Sequence, residues 1–194
     1  MERVLKVGIL ALQGAVAEHK RSIEKAGAEA ILVKRVEQLS ELDGLILPGG
    51  ESTTIGRLMR HYGFMEAIPA FYASGKAIFG TCAGLILLAD HIESGETAHL
   101  RLMDMTVMRN AFGRQRESFE TDLKVAGVAD DLRAVFIRAP LITSVGSDVE
   151  VLAMYQDEIV VARQERLLAA SFHPELTEDD RLHRYFLDII KATV

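Results

Sequence analysis

The single cysteine of this 194-residue chain stands in the run Gly80, Thr81, Cys82, Ala83, Gly84. Residues 76–79 before it read as a short buried strand, and residues 85–89 after it read as the opening of a helix. A nucleophile at a tight strand-to-helix turn, with glycines where a Cβ would crowd, is the nucleophile-elbow pattern with Cys in place of Ser. The free N–H groups and positive dipole end of the following helix favour a thiolate there. The second half of the chemistry lies far downstream, in Ser171, Phe172, His173, Pro174, Glu175. Pro174 biases His173 toward an extended backbone, and residues two apart in an extended chain point to one side. The spacing therefore predicts His173 and Glu175 facing one pocket. Cys82 as nucleophile, His173 as proton carrier and Glu175 as the group that fixes the His tautomer make a triad for acyl transfer through a thioester. A lone cysteine is otherwise a small buried hydrophobe, and His-Pro-Glu a surface turn. The pairing of the two motifs points to catalysis.

A third element, Pro48, Gly49, Gly50, Glu51, Ser52, Thr53, Thr54, follows a strand at residues 44–47 and precedes a helix expected from Ile55. Two successive glycines let the backbone present N–H groups to an anion. Beside a reactive cysteine such a nest serves as an oxyanion hole, and the N–H groups of Gly50 and Ala83 are assigned to it. A phosphate cradle is the competing functional reading, but the loop lacks the Lys of the Walker pattern. A plain Pro-Gly turn with a Ser or Thr helix cap is the third.

These motifs need elements to place them. Apolar runs at 4–12, 30–33, 44–47 and 76–79 alternate with helical segments at 16–26, 55–62 and 65–73. Such alternation predicts an α/β fold of three layers, a largely parallel sheet with helices on both faces. Extra short strands follow in the middle of the chain, at 105–108, 119–125, 134–137, 149–155 and 158–163, with Asp157 at a hairpin turn. A further strand is expected at 167–172, and a last helix at about 178–192 behind a Thr177 cap. Pro48, Cys82, Pro140 and Pro174 all lie just past strand ends, so the motifs converge on the carboxyl edge of the sheet, where ligands of open α/β sheets bind.

Composition narrows the partners. The formal net charge of −6 argues against nonspecific nucleic-acid binding, and the Arg109, Arg114, Arg116 cluster is too small to reverse that. One cysteine excludes an internal disulfide and a Cys-based zinc site, and the six histidines are dispersed, so no metal and no cofactor are expected. A free reactive thiol fits a cytoplasmic location. Residues 7–12 mimic a short signal peptide, but Gln13, Glu18 and Lys20 follow and no processing site closes the run. No apolar run has the length to span a membrane. The chain, residues 1–194, is expected to form one domain.

The Pro-Gly-Gly loop, the G-x-C-x-G elbow and the His-x-Glu pair resemble, in this order, the motifs of class I (triad) glutamine amidotransferases. The match is closer to one branch. The run Gly8 to Val16 with Glu18 and His19, the loop PGGEST at 48–53, RNAFGRQ at 109–115 with Ser118, Phe119 and Glu120, and FIRAP at 136–140 are similar to the glutaminase subunits of pyridoxal 5′-phosphate synthase. That resemblance implies hydrolysis of L-glutamine to L-glutamate and ammonia. It implies that Gly50, Glu51, Ser52, Arg109, Ile137 and Arg138 bind the glutamine, with Arg109 or Arg138 suited to its α-carboxylate. A surface ion pair is the alternative role for each arginine. It also implies ammonia delivery to a separate synthase subunit in a hetero-oligomeric complex, with the turn at Gln13 near that interface. Two other readings stand beside it. One is the glutaminase subunit of another amidotransferase, such as imidazole glycerol phosphate synthase, which is not expected to carry the branch segments. The other is a non-enzymatic, redox-sensing α/β relative, against which the His-x-Glu pair argues.

Overall fold

The computed structural model describes residues 1–110 and 118–194. In chain order the elements are β1 (Lys6–Leu10), α1 (Val16–Lys25), β2 (Glu29–Val33), a 3₁₀ turn (Val36–Glu41), β3 (Gly44–Leu47), α2 (Ser52–His61), α3 (Phe64–Ala73), β4 (Ala77–Thr81), α4 (Ala83–Leu88) and β5 (Ala89–Ile92). Then come β6 (Met103–Met108), β7 (Ser118–Val125), β8 (Ala129–Ile137), β9 (Leu141–Val145), β10 (Glu150–Tyr155), β11 (Glu158–Gln164), β12 (Leu167–Ala170), a 3₁₀ turn (Pro174–Leu176) and α5 (Arg181–Lys191).

The parallel half of the main sheet runs β2-β1-β3-β4-β12. Its inner strands are buried on both faces, while the edge strand β2 is partly exposed, and successive side chains serve two different cores. Leu45 and Leu47 join the core beneath α2, α3 and α4, while Ile46 joins the core beneath α1 and α5. Leu167 and Ala169 against Leu168 and Ala170 repeat that division in β12. This is the expected three-layer α/β/α arrangement. Beyond β12 the sheet continues through β11, β9, β6 and β5 with antiparallel pairings except β5 with β6, and β10 pairs with the free side of β11. The β7-β8 hairpin forms a separate ribbon whose Leu123, Leu132, Ala134 and Phe136 close the α1/α5 core. Gln156 and Asp157 both have positive φ, the backbone of a type I′ hairpin turn, as the sequence placed it.

The differences from the sequence reading are local. α2 starts at Ser52 rather than Ile55, because the Glu51 carboxylate accepts from the N–H groups of Thr53 and Thr54 and caps the helix three residues earlier. The helix after the cysteine ends at Leu88 and the chain becomes β5 at once. Residues 83–88 are buried on every side, so periodicity had no amphipathic face by which to mark that end. β9 was not read from the sequence; its Leu-Ile-Thr-Ser-Val run is short and mixed in polarity. Thr177 does not cap α5. Its hydroxyl accepts from the Asp179 N–H at 3.1 Å, the Asp179 carboxylate accepts from the Arg181 N–H at 3.2 Å, and the helix begins only at Arg181.

Candidate active site

Cys82 is the turn between β4 and α4, with φ 51° and ψ −107°. A non-glycine residue held there stores backbone strain, and such positions cluster at functional sites. Its N–H donates to Ala170 O at 2.8 Å, which ties the turn to the neighbouring strand β12. A Cβ on Gly84 would run into the Leu47 carbonyl, so only glycine lets α4 start this close to the end of β3. The Cys82 Sγ lies 3.9 Å from Ile137 O.

His173 follows β12, and its N–H is held by Val135 O at 2.8 Å. Its Nδ1 lies 2.5 Å from Glu175 Oε1, and Glu175 is buried. The two side chains do meet, but not along an extended strand, and neither lines the cavity on which Cys82 opens. Pro174–Leu176 is a 3₁₀ turn, and it is the turn that swings the carboxylate back onto the imidazole. Burial opposes the charge on His173. Hydrogen bonding and charge interactions with Cys82 and Glu175 outweigh it and push His173 up to about 10. The Pro-Gly-Gly loop completes the group. A Cβ on Gly49 would stand 2.5 Å from His173 Cε1 and 3.3 Å from the Cys82 Cβ. Three segments distant in sequence therefore meet at one thiol.

The loop is fixed from the amino-terminal side. Gly49 O accepts from the Ala15 N–H at 3.0 Å, and Gln13 Oε1 accepts from the Glu51 N–H at 2.9 Å. In a trans peptide the N–H points opposite to the C=O, so the Gly50 N–H is aimed away from the turn that holds Gly49 O. Gly50 and Ala83 both line a cavity of roughly 440 Å³ that opens on Cys82.

Glu51, Ser52, Arg109 and Arg138 line the same cavity. The Glu51 carboxylate accepts from the Thr54 hydroxyl at 2.6 Å and from the Thr54 and Thr53 N–H groups at 2.7 and 3.0 Å. The Thr54 hydroxyl does most to lower Glu51, to about 2, helped by the two backbone N–H groups and opposed by partial desolvation. Arg109 donates to Glu96 Oε2 at 2.7 Å, Thr53 Oγ1 at 3.2 Å and Glu51 Oε1 at 3.3 Å. The ion pair weighed as an alternative role for Arg109 is thus present, with the guanidinium still on the cavity. Ser52 Oγ is buried without a hydrogen-bond partner. Arg138 holds a positive φ of 44° at the rim. Ile137 reaches the site through its carbonyl, while its side chain is exposed. Arg114 and Arg116, and most of the RNAFGRQ segment, lie outside the described residues.

Sequence reasoning gave no role to Glu96 or to the residues behind Glu175. His19, Thr81 and His183, all fully buried, form a hydrogen-bonded chain there. The available signal was a histidine on the face of α1 that also carries the buried Ser22 and Ile23. Among the described residues, no group of His, Cys, Asp and Glu side chains could hold a metal ion, and no helix is long and apolar enough to cross a membrane.

Comparison with known proteins matches this arrangement. Residues 9–192 fit the model of the SNO glutamine amidotransferase family. The chain is 69% identical over 187 residues to "Pyridoxal 5′-phosphate synthase subunit PdxT" of Niallia circulans, covering 96% of this chain and 98% of that protein. It is 64% identical over 188 residues to the protein of the same name from Halalkalibacterium halodurans, covering 97% and 96%. A crystal structure described as a glutamine amidotransferase superposes with a TM-score of 0.91 at 51% identity, covering 95% of this chain and 98% of that one. PurLQS from Thermotoga maritima, at 16% identity, TM-score 0.69 and coverage of 96% and 99%, shares the fold alone. The family match spans nearly all of the chain that builds the thiol, the imidazole and the loop between them, and the chain belongs to the SNO glutamine amidotransferase family.

Proposed function

We propose that this chain is the glutaminase subunit of a pyridoxal 5′-phosphate synthase, hydrolysing L-glutamine to L-glutamate and ammonia at Cys82. The observation that carries the reading is geometric: His173 is bonded to the buried Glu175 and packs with Cys82 against Gly49, and Cys82 and Glu175 together favour its protonated form. The sulfur attacks the side-chain amide carbon of glutamine. The N–H groups of Gly50 and Ala83 receive the developing oxyanion, each worth about 3 kcal/mol of the barrier. The C–N bond breaks as His173 gives its proton to the departing ammonia. His173 then takes a proton from water, the resulting hydroxide adds to the thioester, and the C–S bond breaks to release glutamate. Glu175 holds Nδ1–H and leaves Nε2 for these transfers.

Arg109 and Arg138 supply the positive wall for the glutamine α-carboxylate, and Ser52 offers a hydroxyl that no protein group uses. Ammonia passes to a separate synthase subunit in a hetero-oligomeric complex. The names of the relatives support this part of the reading. Gln13 is the candidate for sensing that partner, because it links the β1–α1 turn to the Glu51 N–H. A free reactive thiol is best preserved in a reducing compartment, which supports a cytoplasmic location. The test is glutamate release from glutamine, with and without the synthase subunit, by the native chain and by Cys82→Ala. Turnover that depends on Cys82 is expected. Retained turnover in Cys82→Ala would overturn the reading.

A further inference from the structure

We propose that His19 is a positioning residue of this site, holding the outer oxygen of Glu175 and the residue before the nucleophile at the same time; the proposal rests on the glutaminase reading above. Glu175 Oε1 is engaged by His173, but Oε2 is buried and makes no hydrogen bond of its own. The group facing it is His19 Nε2, 3.5 Å away, with both side chains fully buried. That same Nε2 lies 2.9 Å from the hydroxyl oxygen of Thr81, the residue immediately before Cys82. On its other side His19 Nδ1 lies 2.9 Å from His183 Nε2 on α5.

The tautomer follows from the accounting of donors. Burial holds both imidazoles neutral: desolvation, then the neighbouring His183 and His173, lowers His19 well below its ordinary range, and desolvation lowers His183 to about 4. Each ring then carries one N–H. If His19 carried it on Nδ1, a bare nitrogen would face the Glu175 carboxylate. His183 would then have to place its own proton on Nδ1, which has no acceptor. A buried N–H without a partner is rare and costly. If His183 Nε2–H donates to His19 Nδ1, then His19 Nε2–H is free to donate to Thr81 and to turn its positive end toward Glu175 Oε2. Only one bare acceptor, His183 Nδ1, is left. The second arrangement gives both imidazole N–H groups an acceptor and turns the nearest N–H toward the unpartnered carboxylate oxygen; its cost is a Thr81 hydroxyl hydrogen that no longer has His19 Nε2 to donate to.

Glu175 is therefore hydrogen-bonded to His173 through Oε1 and faced by the His19 N–H at 3.5 Å on Oε2. His19 also spans from α1 to β4, so it ties the acid to the backbone turn that carries the thiol. Its role is geometric. It keeps Oε1 aimed at His173 Nδ1, and it does not touch the substrate cavity.

Two measurements on the full chain with its synthase subunit decide this. In ¹⁵N NMR of the native protein, His19 and His183 should each show a protonated Nε2 and a bare Nδ1. A His19 protonated at Nδ1 would overturn the proposal whatever the mutants do. In steady-state assays His19→Leu should lower kcat about 10- to 100-fold, the size seen for outer partners that orient active-site histidines at metal centres. KM for glutamine should stay within about twofold. His19→Gln, which keeps a donor near the Nε2 position, should recover most of that loss. Native kcat in His19→Leu would also overturn it. If the native chain itself showed no Cys82-dependent turnover, the glutaminase reading would fall instead, and the tautomer would still decide the assignment of His19.

Discussion

Behind the Cys82 thiol, Glu175, His19 and His183 are sealed beneath α1 and α5, and neutral imidazoles with one carboxylate share protons through short contacts. In front of it, Glu51, Arg109 and Glu96 stand partly exposed around the cavity and are joined as ion pairs. The two regions solve different problems. A buried charge is costly unless paired, so the rear places few charges and gives them near neighbours. The result is rigid and suits groups that must hold a fixed geometry. Exposed ion pairs are worth little, commonly below about 1 kcal/mol, because water competes for both partners. In the proposed role, Arg109 gives up its looser pair with Glu51 to a substrate carboxylate at small cost while Glu96 keeps hold of it. Changes at the rear should act on kcat, and changes at the front on KM.

The strongest test of the rear is His173 itself. His173→Asn should lower kcat by about three orders of magnitude or more, the scale of a lost general acid–base. Glu175→Gln should cost about two to four orders, with glutamine binding retained. A rate for His173→Asn within tenfold of native, measured as glutamate release, would put the base elsewhere. Between the two regions lies Gly49. A Cβ there would press on His173 Cε1 at 2.5 Å, so Gly49→Ala should lower kcat about 10- to 100-fold. Its thermal midpoint should fall as well, because the buried ring has to shift, but the rate per folded molecule should fall with it. A fall in stability with an unchanged rate per folded molecule would make Gly49 a turn residue only.

At the front, Arg109→Gln should raise KM for glutamine about tenfold or more and leave kcat within a few-fold. Glu96→Gln should shift KM less, because it removes only one anchor of the guanidinium. An effect confined to kcat would break the division between the two regions.

The smallest effect is on stability against pH, and its two limbs have opposite signs. His19 and His183 are held below their ordinary 6.5 in the folded chain, so the unfolded chain binds more protons as pH falls. Stability should decline from about pH 6.5 toward about pH 4. His173 is held above 6.5, at about 10, so its stabilisation is complete below pH 6.5 and is lost as pH rises toward 10. Urea midpoints measured across this range should peak between the two limbs. His183→Gln should flatten the acid limb and spare the alkaline one.

Much of this was legible in the chain. β3 was read from the sequence with the bounds it has, because a strand buried on both faces is a continuous apolar run. Cys82, His173 and the Pro-Gly-Gly loop were legible because each is a local motif at a strand end. The rear of the site was not. His19 and His183 are separated by 164 positions, and each reads alone as a polar residue on a helix. Only the packing of α1 and α5 on the same sheet face joins them. The His173–Glu175 contact was expected for the wrong local reason, since spacing alone does not distinguish an extended chain from a 3₁₀ turn. Glu96 acquires its role through an ion pair with Arg109 across a loop, and no short-range pattern marks such a pair.

The most direct test of a thioester at Cys82 is the mass of the intact chain, acid-quenched during turnover of glutamine with the synthase subunit present. The account predicts one added glutamyl group, mapped to Cys82, which disappears when glutamine is exhausted and is absent in Cys82→Ala. Steady release of glutamate with no glutamyl adduct on Cys82 at any quench time, under conditions where Glu175→Gln also accumulates none, would contradict it.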